Sequence, residues 1–268
     1  MADMLCIDPS DEIVTSLAKG TNGIFIDKKQ LKHYDEKIPV CFRSLTKRKL
    51  MRSLEKTNRD FYYIDNGYMG NANLKKYWFR IVKNDIQHVG RFQEVPKDRW
   101  DGMVSVAPWL KYQGRKDPPK DGSILLVTPS GKPCDFYNID KDKWLQDTIT
   151  LIKKYTDRPI IVRHKELRKE RIANNSIGAQ CSRDNIWAVV TYNSIAALEA
   201  VHYGIPAFTM APHAGDIICN TDISKLEEPF YPDEIMVHKF WHWIAYCQYT
   251  PFEMMNGKAM RIQKEYNL

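Results

Sequence analysis

The sequence predicts an α/β protein with largely parallel sheets, built as two units and closed by carboxyl-terminal helices. Three observations carry that reading. Short apolar or aromatic runs alternate with helical patterns from the amino terminus onward, as they do where strands are joined by crossover helices. A stretch rich in Pro, Gly and Lys, Arg99 to Gly122, then interrupts the alternation as a linker would. Beyond it Ser123 to Val127, SILLV, restarts the pattern with a run suited to a strand buried on both faces. The expected divisions are residues 1–115, 116–230 and 231–268, with the first unit a reduced one.

Bulk properties narrow the class. Of 268 residues, 43% are hydrophobic and 27% charged, the balance of a globular chain with a core. No apolar run is long enough to span a bilayer, and the start, MADMLCIDPSDE, is acidic where a secretory signal is basic, so a cytoplasmic protein without stable membrane association is expected. Six scattered cysteines form no CxxC pair, which argues against a disulfide framework and a thiolate zinc site. Residues 1–120 hold 23 Lys and Arg against 15 Asp and Glu, whereas the remainder holds 17 against 18. The basic excess therefore lies in the first half, where it reads either as a polyanion footprint or as a solvated face.

In chain order, Met4 to Ile7 and Gly23 to Ile26 read as strands around a helix from Asp11 to Leu17. Val40 to Phe42 is a third strand, followed by a basic helix from Thr46 to Lys56 with Leu50, Met51 and Leu54 as its apolar stripe. Lys47, Arg48, Lys49 and Arg52 on that helix are candidate DNA contacts. Phe61 to Ile64 is an aromatic and β-branched strand that ends in Asp65, Asn66 and Gly67. A carboxylate at a strand's carboxyl end stands where open α/β sheets bind ligands, which makes Asp65 a candidate base as well as a plain turn residue. Lys76 to Val82 is a further strand, with Asp85 and His88 beyond it as reserve candidates. In the linker Lys111, Arg115 and Lys116 interleave with Trp109 and Tyr112, a mixture that suits phosphates and exposed bases.

In the second half SILLV ends in the turn Thr128 to Lys132, where Ser130, Gly131 and Lys132 could present backbone N–H groups and a cation to a phosphate; the P-loop spacing is absent. A helix from Asp140 to Tyr155 leads to a strand, Pro159 to Val162, and directly into Arg163, His164 and Lys165, cations suited to a diphosphate. Asn185 to Thr191 is a buried strand. It delivers the chain into Thr191 to Gly215, where Ser194 caps a short helix, Gly204 stops it and Ile205 to Met210 forms a strand. Glu199 sits mid-helix; alone it reads as a surface carboxylate. Tyr231 to Ile244 and Pro251 to Tyr266 are the terminal helices. His238 and His242 are spaced for a metal, but no third ligand accompanies them and no metal is expected.

The series of strand, SG turn, helix, strand with RHK, strand and SxxxxEAxxxGxP resembles the donor domain of two-domain glycosyltransferases with paired Rossmann-like units, the GT-B architecture. Glu199, Gly204 and Pro206 match its ExxxxGxP segment. The resemblance implies that Glu199 binds the donor ribose and that Arg163 and Lys165 bind its diphosphate, with Ser130, Gly131, Lys132, His164 and Ser194 around them. The RHK triplet is similar to the RxHP segment of capsule-type glycosyltransferases, with the intervening residue missing and Lys165 in place of proline. Compact length, YIDNGY and AYCQYT look like phage-encoded glycosyltransferase-like proteins.

The resemblance implies a nucleotide-sugar co-substrate, a UDP-sugar foremost, and transfer without a metal, since preorganised cations can neutralise the departing diphosphate. An inverting transfer needs a general base from the first half, Asp65 before Asp85 or His88; a retaining one does not. With the basic first half, the expectation is transfer to hydroxymethylated pyrimidines in double-stranded phage DNA. A capsule or lipopolysaccharide-type glycan acceptor and a catalytically inactive nucleic-acid-binding protein are the alternatives.

Overall fold

Two sheets organise residues 2–70, 77–116, 119–164 and 176–268, which the computed structural model describes. The chain divides into two units: one gathers the chain up to Arg91 with Val95–Ala107 and His242–Leu268, the other Phe92–Glu94 and Pro108–Trp241.

The first unit carries six strands in the order β2-β1-β3-β4-β5-β10. These are β1 (Leu5–Cys6), β2 (Ile24–Phe25), β3 (Val40–Arg43), β4 (Phe61–Asn66), β5 (Phe79–Lys83) and β10 (Gln248–Tyr249). The first four are parallel, as the alternation predicts. β5 and β10 are antiparallel additions that the alternation of strands and helices did not predict. Helix α1 (Glu12–Gly20) starts where the Asp11 carboxylate accepts the N–H groups of Ile13 and Val14, and it buries Val14, Leu17 and Ala18. Helix α2 (Arg48–Lys56) buries Leu50, Met51 and Leu54 at helical spacing.

The carboxyl-terminal segment completes this unit. Buried Gln248 exchanges hydrogen bonds with the backbone of Met69, at 3.2 and 3.0 Å, and Gln263 donates to the Ile81 carbonyl at 3.1 Å. Arg99 forks onto Glu253 and the carbonyls of Ala245 and Gln248. Arg99 belongs to helix α3 (Asp98–Val106), so the expected linker begins with a helix that seats Trp100 and Met103 in the core. The expected helix from Pro251 to Tyr266 is two: the chain turns at Asn256 and at Gly257, whose φ is +77°.

The second unit has four parallel strands in the order β7-β6-β8-β9: β6 (Ser123–Val127), β7 (Ile160–Arg163), β8 (Ile186–Thr191) and β9 (Ala207–Thr209). Helices α4 (Gly131–Tyr137) and α5 (Lys141–Ile152) link β6 to β7, α6 (Ile177–Arg183) links β7 to β8, and α7 (Ala196–His202) links β8 to β9. Ile124, Leu126, Ala188, Val190 and Phe208 fill one face of the sheet and pack on Ile152, Ile223 and Leu226. Helix α8 (Glu234–Tyr246) begins in this unit and ends in the first.

Candidate functional site

In the second unit the chain leaves β6 toward β7 on one side and returns past β6 to β8 on the other. The strand order therefore reverses between β6 and β8, and the crevice outside their carboxyl ends is the place where doubly wound sheets hold ligands. Register sets the ends level, with Val127 opposite both Arg163 and Thr191 and Thr191 opposite Thr209. The loops that flank the crevice are Thr128 to Lys132 and Tyr192 to Ser194, and neither contains a carboxylate.

These loops hold much of the predicted donor set. Ser130 precedes α4 without a side-chain bond to its first turn, Gly131 and Lys132 are exposed, and a Cβ built on Gly131 would meet nothing within 4 Å. The Thr191 hydroxyl donates to the Val127 carbonyl at 3.2 Å, and Asn193 donates to the Tyr137 hydroxyl at 2.9 Å, tying the β8 loop to α4. Ser194 was expected to cap α7, but Ile195 holds the N-cap position without a side-chain bond; the Ser194 hydroxyl, one residue earlier, accepts from the Ala196 N–H at 3.3 Å. Beside the crevice, exposed His164 lies 3.3 Å from the Thr128 hydroxyl, and Arg163 bonds to the Gln180 side chain. Lys165 lies outside the described residues.

Glu199 is half-buried in the first turn of α7. Burial first of all pushes the Cys181 thiol up to about 12, and that thiol also feels Lys116, Arg163 and Glu199, so the two cations and the carboxylate share one neighbourhood between α6 and α7. Gly204 has a physical reason in this chain: its φ is +78°, and a Cβ there would stand 2.0 Å from the Gly114 carbonyl oxygen. The space it leaves admits residues 113–116, which bond along the end of α7 through Gln113 N–H to the His202 carbonyl (3.2 Å) and Lys116 N–H to that of Gly204 (3.3 Å).

The first unit repeats the reversal between β1 and β3, with different chemistry. Its crevice loops are Asp8 to Asp11 and Arg43 to Lys47. Asp11 pairs with Arg43 at 3.0 Å, Lys47 with Asp8 at 3.5 Å, and Arg43 reaches on to Asn66 at 3.3 Å. Asp8 and Ser44 both hold positive φ, +82° and +83°, conformations that such residues seldom adopt. Sequence reasoning passed over Asp8, Asp11, Arg43 and Ser44; the DPSDE run directly after an apolar strand was the available signal.

Asp65 is the penultimate residue of β4, on the same edge. It accepts from the Tyr63 hydroxyl at 2.9 Å and the Asn66 N–H at 2.8 Å, and pairs with Arg80 at 3.2 Å. Burial acts to raise its pKa, but Arg80, the Asn66 N–H, the Tyr63 hydroxyl and Arg43 together hold it below the ordinary carboxylate value. Asp85 accepts from the Ile86 N–H at 2.6 Å in the turn after β5. His88 is a core residue, not a surface base: it is fully buried, 3.0 Å from the Tyr68 hydroxyl, edge-on to Trp243, and burial lowers its pKa to about 3.

The predicted DNA contacts do not form one surface on one unit. Lys47, Arg48, Lys49 and Arg52 belong to the first unit, Lys111, Arg115 and Lys116 to the second. Arg115 lies over the Tyr231 ring at 4.1 Å and half-buried Lys116 sits 5.9 Å from that of Tyr203. Two of the first half's arginines, Arg59 and Arg80, are buried, and Arg59 donates to the carbonyls of Ile38, Leu31 and Asp35. Among the described residues no group of three or more His, Cys, Asp or Glu is placed to hold a metal ion, and no helix is long and apolar enough to cross a membrane.

The paired units, each with a crevice at its reversal point, define a Rossmann-like α/β fold. Two solved structures share it. The β Kdo 2,7 transferase of Thermosulfurimonas dismutans KpsC is 12% identical with a TM-score of 0.56, over 96% of this chain and 99% of that one. The β Kdo 2,4 transferase of the same KpsC is 12% identical with a TM-score of 0.54, over 93% of each chain. At such identity the likeness speaks for the fold. No family model matches the chain, and no curated protein matches its sequence. Neither neighbour lends support to a DNA acceptor.

Proposed function

We propose that the chain is a glycosyltransferase that moves a sugar from a nucleotide-activated donor, held on the second unit, to a capsule-type glycan. One observation carries the donor assignment: the crevice between β6 and β8 is flanked by hydroxyls, an amide and backbone N–H groups without a carboxylate, and Arg163 and His164 adjoin it. That surface suits a phosphorylated ligand. The first unit's crevice, with two carboxylates and two cations already paired, suits sugar hydroxyls better. In this reading Arg163 and Lys132 meet the donor phosphates, Glu199 meets the ribose, and Asp65 remains the first choice of base if configuration inverts. Its low pKa keeps it ionised at neutral pH while reducing its basicity. The fold neighbours, both Kdo transferases by name, support a glycan acceptor in place of the hydroxymethylated pyrimidine.

The test is a donor panel, led by UDP-sugars and including nucleotide-activated Kdo. At least one donor should raise the melting temperature, and Glu199→Ala should remove the shift. Asp65→Asn should keep the shift yet slow transfer by at least about a hundredfold if it is the base. Absence of stabilisation by every donor would sink the enzyme reading.

A further inference from the structure

Two arginines close on the end of β4 from the strands on either side. Arg43 on β3 reaches the Asn66 side chain at 3.3 Å, and Arg80 on β5 reaches the Asn66 carbonyl at 3.0 Å and the Asp65 carboxylate at 3.2 Å. Register explains the second contact: Asp65 and Arg80 stand directly opposite each other in an antiparallel pair, which puts both side chains on one face. Arg80 is itself anchored. Its Nε donates to the Ile86 carbonyl at 3.2 Å, its guanidinium lies 4.9 Å from the centre of the Tyr68 ring, and its side chain is 10% exposed. Asp65 keeps 29% of its side chain exposed. The anchored cation therefore sets the more open carboxylate. Nor does burial of an arginine here demand an acid, since Arg59 finds its hydrogen-bond partners among the described residues in carbonyls.

The bonds to Asp65 leave a countable remainder. An ionised carboxylate offers about four acceptor positions, two on each oxygen. Oδ2 takes the Tyr63 hydroxyl at 2.9 Å as well as Arg80, and Oδ1 takes the Asn66 N–H at 2.8 Å. Among the described residues this leaves one position, on Oδ1. Burial would favour the protonated carboxyl, and Arg80, first among the opposing influences, reverses that.

We propose that Arg80 is a positioning residue for the transfer: by holding Oδ2 it leaves Oδ1 of Asp65 as the oxygen that receives the acceptor's proton. This rests on the reading in which Asp65 is the base. In that step the acceptor oxygen bonds to the anomeric carbon, the bond from that carbon to the phosphate oxygen breaks with its electron pair on the departing nucleotide, and the proton passes to Oδ1.

The test follows nucleotide released by the full chain from UDP-glucose and from nucleotide-activated Kdo, with water as acceptor, between about pH 4 and 8. In Arg80→Gln kcat should fall at least about tenfold, because the carboxylate is no longer fixed. The acid limb of kcat/KM should rise by about 1 to 3 pH units, because a base that loses a neighbouring cation is protonated at higher pH. Arg80→Lys should return the limb, since the charge is restored, while kcat stays low, since an ammonium does not reproduce the fork. Tyr63→Phe removes one donor from Oδ2 and keeps the ring, so it should move the limb the same way by less. Arg80→Lys and Tyr63→Phe decide the matter if Arg80→Gln does not fold. A merely structural arginine would lower the melting temperature and leave the limb in place. Slow release by Asp65→Asn, with an unshifted limb and full kcat in the Arg80 and Tyr63 variants, would overturn the role of Arg80 alone. Near-normal release by Asp65→Asn would remove the base, and no release by the natural chain would remove the transfer itself; either takes the role of Arg80 with it.

Discussion

The two units share one topology, four parallel strands in the order second, first, third, fourth, yet they finish it differently. In the first unit β1 and β2 are two residues each, and the sheet is extended by antiparallel β5 and β10. In the second the same four strands suffice, with β6 and β8 paired at the centre through a register shift at Ser123 and Ile124. Their carboxyl edges diverge too: Asp8, Asp11, Arg43, Lys47, Asp65 and Arg80 line the first as ion pairs, whereas hydroxyls, an amide and cations line the second. The same architectural crevice can thus be assigned to different ligands by the charge of its loops alone.

Glycine substitutions sharpen the contrast within the second unit. Gly204→Ala should cost about 3 to 4 kcal/mol in urea unfolding, because the new Cβ meets the Gly114 carbonyl and the backbone is left-handed. Gly131→Ala, at the crevice, should change stability by less than about 0.5 kcal/mol and weaken donor binding. A large stability loss at 131 would mean that the turn is structural and not a ligand cradle.

Acid should affect both units, since His88 is buried in the first and His202 and His213 in the second. Burial lowers His88 to about 3 and His202 to about 4, so each stabilises the fold only while neutral. That contribution is complete above a pH of about 6.5 and is lost as pH falls toward the folded values, at about 1.4 kcal/mol per pH unit for each residue. His202, set among Tyr112, Tyr203 and Trp241, should contribute up to about 1.4 kcal/mol per pH unit to the slope between about pH 6.5 and 5. Urea unfolding of His202→Phe across that range checks it; an unchanged slope would contradict the assignment.

Much of the second unit was legible because its strands are unbroken apolar runs: SILLV is β6 to the residue. Helices α3 and α4 were not. DRWDGMVSV and GKPCDFY hold Gly, Pro or β-branched residues that lower helix propensity, and packing of Trp100 or Phe136 decides them. No strand was read in AYCQYT, yet Gln248 and Tyr249 pair with Arg80 and Phe79, far away in sequence. The ion pairs of the first crevice join residues 32 and 39 positions apart and leave no local pattern. Glu199, Gly204 and Ser194 were visible through their spacing; the reason Gly204 must be glycine, residues 113–116 lying against it, was not.

Amide hydrogen exchange with and without a nucleotide sugar tests the division of labour most directly. The account predicts that donor slows exchange at residues 128–132 and 192–196 and leaves residues 8–11 and 43–47 unchanged. Protection confined to the first unit's crevice would contradict it.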